Sequence, residues 1–136
     1  MQPGTFTISL GTSLAVRVVN PGGSFSSDSK LFHYVLDEKH TISGAASNNG
    51  TAVIDWWNAQ HGSSQSLDEF VQSAQQAPAG CEGLIFRPYV YGERAPFYDP
   101  DLRPSFLGLR HHSVVNQQRA LLEGICFVVR HLLQTV

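Results

Sequence analysis

Three short stretches hold residue types that could grip a phosphate or orient a polar substrate. Gly11-Thr12-Ser13 sits between two alternating runs. A tight turn there can aim backbone N–H groups and a hydroxyl at one point, which is a workable phosphate contact. The same turn can equally hold only water. Ser47-Asn48-Asn49-Gly50-Thr51 precedes a helical pattern. A helix start built from small residues suits an anion, because its first N–H groups have no partner within the helix. A plain N-cap is the alternative. Gly92-Glu93-Arg94-Ala95-Pro96 follows a strand pattern. Glu93 and Arg94 could orient a polar substrate there, or lock the loop through an ion pair.

Other chemistry-bearing residues fit no site. His111 and His112 are neighbours, so their side chains diverge, and no Cys or carboxylate stands at a spacing that would complete a metal site. No protein-held metal is expected. Asp99 and Asp101 flank Pro100, which signals a turn rather than an acid/base pair. Cys81 and Cys126 match no CxxC spacing and read as reduced thiols. Trp56 and Trp57 read as core or interface residues.

The elements that must carry these residues follow from periodicity. Phe6, Ile8 and Leu10 alternate with polar residues, as do Leu14, Val16 and Val18, which predicts a hairpin around residues 11–13. Residues 20–29 are rich in Pro, Gly and Ser and read as a loop. Strands are expected at 31–36 and 40–43, with a turn at Asp37-Glu38-Lys39. The period then changes. A helix is expected at 51–60 with an Asn or Ser cap. Ser66 and Glu69 form a capping box for a second helix, which Pro78 and Gly80 should end. Residues 84–91 read as a strand with Pro88 at an edge or end. Residues 92–104 form a long loop, and 114–134 a helix so apolar over 120–133 that it should be covered on more than one side. These elements predict an α/β chain: an antiparallel-leading mixed sheet with packed helices.

Composition sets the outer limits. The chain has 136 residues, 42% hydrophobic and 15% charged. That length suits one compact domain. Soluble domains average about 25% charged residues, so this surface is charge-poor, as when part of it is covered by something else. A net charge of -2 gives no electrostatic case for nucleic acid or anionic lipid. No stretch approaches the ~20 apolar residues of a membrane span, and the N-terminus lacks an export-signal pattern. A cytoplasmic location is expected.

Four segments together resemble one family. ISLGTS, LDEKHTISGAASNNGTAVIDWW, PYVYGERAPFYDP and FLGLRHHSVVNQQRALLEG occur in the order found in the second domain of the FGGY carbohydrate kinases, with the gluconate kinase branch the nearest. The resemblance covers nearly the whole chain. It implies an actin-like, ribonuclease-H-like fold and transfer of the γ-phosphoryl group of ATP, with Mg2+, to a hydroxyl of a sugar or sugar acid. By position, Gly11, Thr12 and Ser13 would contact the terminal phosphates. Gly50 and Thr51 would lie beside them, and Asp55 near the nucleotide. The loop Gly92, Glu93 and Arg94 would shape the cleft. Relatives usually carry two glycines where this chain has Gly50-Thr51, and often an amide where it has Asp55, whose charge opposes phosphate unless a metal or distance intervenes.

The resemblance also implies what this sequence lacks: the first domain, with its sugar site and general-base aspartate, and the later Gly-rich nucleoside segment. Residues 1–136 therefore read as a single partial domain, about the first half of the family's second domain. On that reading the isolated chain is inactive and associates with itself or with the missing kinase segments. The alternative is a non-catalytic assembly module that keeps the fold.

Overall fold

A computed structural model describes residues 2–22 and 30–136. Strands β1 (Phe6–Leu10) and β2 (Leu14–Pro21) form the expected hairpin, in the register Phe6↔Val18 to Leu10↔Leu14. Most of the loop expected at 20–29 lies outside the described residues, and its first two residues, Asn20 and Pro21, extend β2. Strands β3 (Phe32–Asp37) and β4 (His40–Ser47) follow. β4 runs four residues past its expected end at Ser43, because each added residue through Ser47 pairs with β2. The sheet order is β1-β2-β4-β3, antiparallel throughout.

Helix α1 (Ala52–Gln60) and helix α2 (Leu67–Ala74) then leave the sheet. The capping box of α2 is present: Ser66 Oγ accepts the Glu69 amide, and Glu69 Oε2 accepts the Ser66 amide at 2.7 Å. Beyond Ala74 the chain continues in tight turns to Ala77, just before Pro78. Strand β5 (Ile85–Arg87) is shorter than the expected 84–91, because Pro88 offers no N–H to a ladder. It pairs with β6 (Ser105–Leu107) in a separate two-stranded antiparallel sheet. The α/β character holds, but the strands form two antiparallel sheets rather than one mixed sheet.

Helix α3 (Val114–Thr135) joins the two halves. Ala120, Leu121 and Ile125 pack with α1, α2 and β5 through Ile54, Trp57, Phe70 and Phe86. One to two turns further on, Val128 and Leu132 pack on the sheet against Leu14, Val16 and Ala45. The buried residues recur at helical spacing and make one stripe. α2, β5, β2 and β4 all pack against α3, while Cys126 and Phe127 remain exposed. Gly124 lies between the two clusters. A Cβ there would stand 2.5 Å from the Phe86 carbonyl oxygen, so only glycine lets α3 and β5 approach this closely.

Candidate functional site

The Gly11-Thr12-Ser13 turn and the start of α1 are in direct contact. The Gly11 N–H closes the turn on the Ser13 carbonyl at 2.9 Å. The amides of Gly50 and Ala52 donate to the Thr12 carbonyl at 3.2 and 3.3 Å, and the Thr51 amide donates to the Gly11 carbonyl at 2.8 Å. These are the orphan donors of a helix start, and the turn supplies their acceptors. The expected Asn or Ser cap is therefore replaced: the N-cap is Thr51, with no side-chain cap bond. The first amides of α1 are spent inside the protein rather than presented to an anion. Gly50 is required by space. A Cβ on it would lie 2.2 Å from the Gly11 carbonyl oxygen.

On its other flank, the segment leading into α1 is held by the Gly92 loop. Glu93 is only 4% exposed, and its carboxylate accepts from four donors. Oε2 takes the Ser47 hydroxyl at 2.7 Å and the Asn49 amide group at 3.4 Å. Oε1 takes the backbone N–H of Arg94 at 2.7 Å and of Asn48 at 3.3 Å. Asn49, fully buried, donates to the Gly92 carbonyl at 2.8 Å and accepts the Tyr91 N–H at 3.3 Å. Arg94 donates to the Ser47 carbonyl at 3.0 Å. Among the described residues no Glu93–Arg94 ion pair forms, so the loop is locked by hydrogen bonds instead. Gly92 has φ +63, and a Cβ there would meet Pro100 at 2.7 Å. Burial, and then the Glu93 charge, push the Tyr89 phenol above its ordinary pKa.

The structure thus brings eight of the nine candidate residues into one continuous assembly: turn, helix start and loop. Asp55 lies one helical turn further on and is exposed. Thr12 and Ser13 are exposed. Thr51, half-buried, lines an apolar groove of about 670 Å³ with Leu10, Ile54, Leu67, Val71 and Cys126. Sequence reasoning missed the buried roles of Ser47 and Asn49. The available signal was the polar run Ser47-Asn48-Asn49, which resembles an ordinary cap. His111 and His112 lie apart from this assembly, beside Glu82 and Arg110.

At the exposed turn the residues Thr12 and Ser13 offer hydroxyl donors rather than cations. Among the described residues no group of three His, Cys, Asp or Glu could hold a metal ion. Magnesium commonly keeps phosphate oxygens and waters as ligands, so it does not require such a group.

Residues 6–136 match the family model described as the FGGY family of carbohydrate kinases, C-terminal domain. The gluconokinase of Bacillus subtilis (strain 168) is 33% identical over 138 residues, covering 93% of this chain and 27% of that protein. A ligand-bound xylulose kinase from Lactobacillus acidophilus superposes with a TM-score of 0.79 at 35% identity, covering 92% of this chain and 26% of the other. The gluconate kinase of the same organism gives 0.76 at 37% identity, covering 88% and 25%. The chain spans about a quarter of the length of these relatives. Its four-stranded sheet with α3 across it is part of the actin-like, ribonuclease-H-like fold that the neighbours share. By the match over residues 6–136, the chain belongs to the FGGY family of carbohydrate kinases.

Proposed function

We propose that this chain supplies the phosphate side of the nucleotide site in an ATP-dependent carbohydrate kinase. The γ-phosphoryl group goes to a hydroxyl of a gluconate-like or xylulose-like acceptor. Thr12, flanked by Gly11 and Ser13, contacts the terminal phosphates. Gly50 and Thr51 hold that turn in place, and Asp55 lies near the nucleotide. Gly92, Glu93 and Arg94 form one wall of the cleft. Phosphoryl transfer depends mainly on positioning and charge stabilisation, and a rigid turn suits that task. The observation that carries this reading is the three-bond junction between turn and helix start, which fixes the turn while Thr12 and Ser13 stay exposed.

The general base and most of the sugar contacts belong to a further domain, so residues 1–136 act as about the first half of the second domain. The isolated chain binds nucleotide weakly and transfers no phosphate. Its setting is the cytoplasm, where ATP and sugar acids meet. No helix among the described residues is long and apolar enough to cross a membrane. Calorimetric titration with MgADP tests the reading. Binding is expected, and it should weaken about tenfold in Thr12→Ala, the loss of one strong phosphate contact. Equal affinity in that variant, or sugar-dependent ADP release by the pure chain, would refute it.

A second reading, an assembly module, is favoured by β1. Phe6, Ile8 and Leu10 are 58%, 47% and 53% exposed, although Val16 and Leu14, the β2 partners of Ile8 and Leu10, are fully buried. The Thr5 carbonyl accepts the Val19 amide, and Gly11 donates to Ser13 just before β2, so by alternation the amides of Phe6, Ile8 and Leu10 face the open edge. The strand carries no charge or proline to protect that edge. Self-association or pairing with another kinase segment follows. Sedimentation should show oligomers that Ile8→Lys dissolves; a monomer at all concentrations would remove this reading.

A further inference from the structure

We infer that Glu93 is a positioning residue for the phosphate turn, acting through the buried segment that joins β4 to α1. The inference rests on the reading of that turn as a phosphate contact. A buried carboxylate is expensive unless its lone pairs are filled. Glu93 has no cation bonded to its carboxylate among the described residues, yet it accepts from four donors. Three of the four donors, from Ser47, Asn48 and Asn49, belong to the residues immediately before Gly50. The next three residues, Gly50, Thr51 and Ala52, give their amides to the turn. One short segment is thus clamped by Glu93 on one side and bonded to Gly11 and Thr12 on the other.

The bonds differ in strength along this path. The Ser47 bond to the carboxylate, buried and 2.7 Å long, is charge-assisted and so the strongest on this path. Those to the turn are ordinary amide–carbonyl bonds at 2.8 to 3.3 Å. The clamp therefore sets where α1 begins, and the turn follows. The segment has no slack, since the missing Cβ of Gly50 leaves its backbone against Gly11 and Ser13. Any shift of residues 47–49 must pass to the turn. Glu93 need not touch a ligand to place the Thr12 hydroxyl.

The test compares Glu93→Gln with Leu132→Ala in the full chain, by amide hydrogen exchange and MgADP calorimetry. Leu132→Ala removes apolar packing under α3 and serves as a control for loss of stability alone. In Glu93→Gln, exchange at Gly50, Thr51 and Ala52 should rise at least tenfold, while the amides of Ile125 and Val128 stay protected. The MgADP Kd should rise about tenfold. Leu132→Ala should leave that Kd within twofold at a temperature where both variants are folded. Unchanged exchange at 50–52, or an equal rise in α3, overturns the inference. If Glu93→Gln does not fold, Ser47→Ala removes one donor and should give the same pattern at about threefold; a uniform rise again refutes it. If the unaltered chain binds no MgADP, the phosphate reading fails for this chain, and the exchange pattern alone decides whether the clamp exists.

Discussion

Around residues 47–51 the chain is fixed by hydrogen bonds with little hydrocarbon, whereas beneath α3 it is fixed by hydrocarbon with few hydrogen bonds. The first region joins a turn, a helix start and a loop through a buried carboxylate and asparagine. The second packs Leu121, Ile125, Val128 and Leu132 into two apolar clusters. A net hydrogen bond contributes about 1 kcal/mol, while a buried leucine side chain contributes about 2 kcal/mol or more. Bonds are directional and apolar contacts are not. The α3 region therefore supplies stability, and the region around Glu93 supplies precise placement.

The sharpest way to break this contrast is a cavity under α3. Leu132→Ala should cost about 3 to 4 kcal/mol in urea unfolding, since Leu132 is fully buried. A cost under ~1 kcal/mol would mean that the sheet is not held by α3. Gly50→Ala should cost about 2 to 3 kcal/mol through overpacking, because its Cβ would meet the Gly11 carbonyl. Its effect on turn geometry should exceed its effect on stability, visible as chemical-shift changes at Thr12 and Ser13 larger than those in α3.

A smaller effect comes from pH. Burial works to raise the Glu123 pKa, but hydrogen bonds from Arg119, the Gly80 amide and Cys81 outweigh it and hold the carboxyl below its ordinary value. At Glu69 the Ser66 amide and hydroxyl act in the same direction. A group with a lowered folded pKa stabilises the fold above its unfolded value, and that stability is lost as pH falls through the folded one. Melting temperature should therefore fall below about pH 4.5, the ordinary value of both groups, and Glu123→Gln should flatten part of that slope. The smallest expected signal is in the thiols. Burial, and then the Glu123 charge, push Cys81 up to about 11, whereas Cys126 is exposed. One thiol should label at pH 8 in the folded chain and two after unfolding; fast labelling of both would contradict tight packing around Cys81.

Much of the architecture was legible because it is local. The alternation in Phe6–Leu10 and Leu14–Val18 gives the hairpin and its turn. Ser66 and Glu69 give the start of α2, and the long apolar pattern gives α3. Strand β6 was not legible, since three residues are too few to show a period. Nor was the extension of β4 to Ser47, where Gly44, Ala45 and Ala46 carry little strand preference and pairing with β2 decides. At the candidate site, the turn, Gly50 and the loop could be named from their residue types. Their contact could not, because it joins residues 11–13, 47–51 and 91–94 across the fold.

The amino-acid sequence by itself determined the elements, the family and the short list of polar residues, since turn chemistry, capping and hydrophobic period depend on near neighbours. Only the tertiary structure decided what those residues do to one another. It assigned the first amides of α1 to the turn, gave Glu93 four donors in place of Arg94, and left the apolar face of β1 uncovered. Each of these outcomes depends on which distant groups reach hydrogen-bond distance, and on which surfaces find something to pack against.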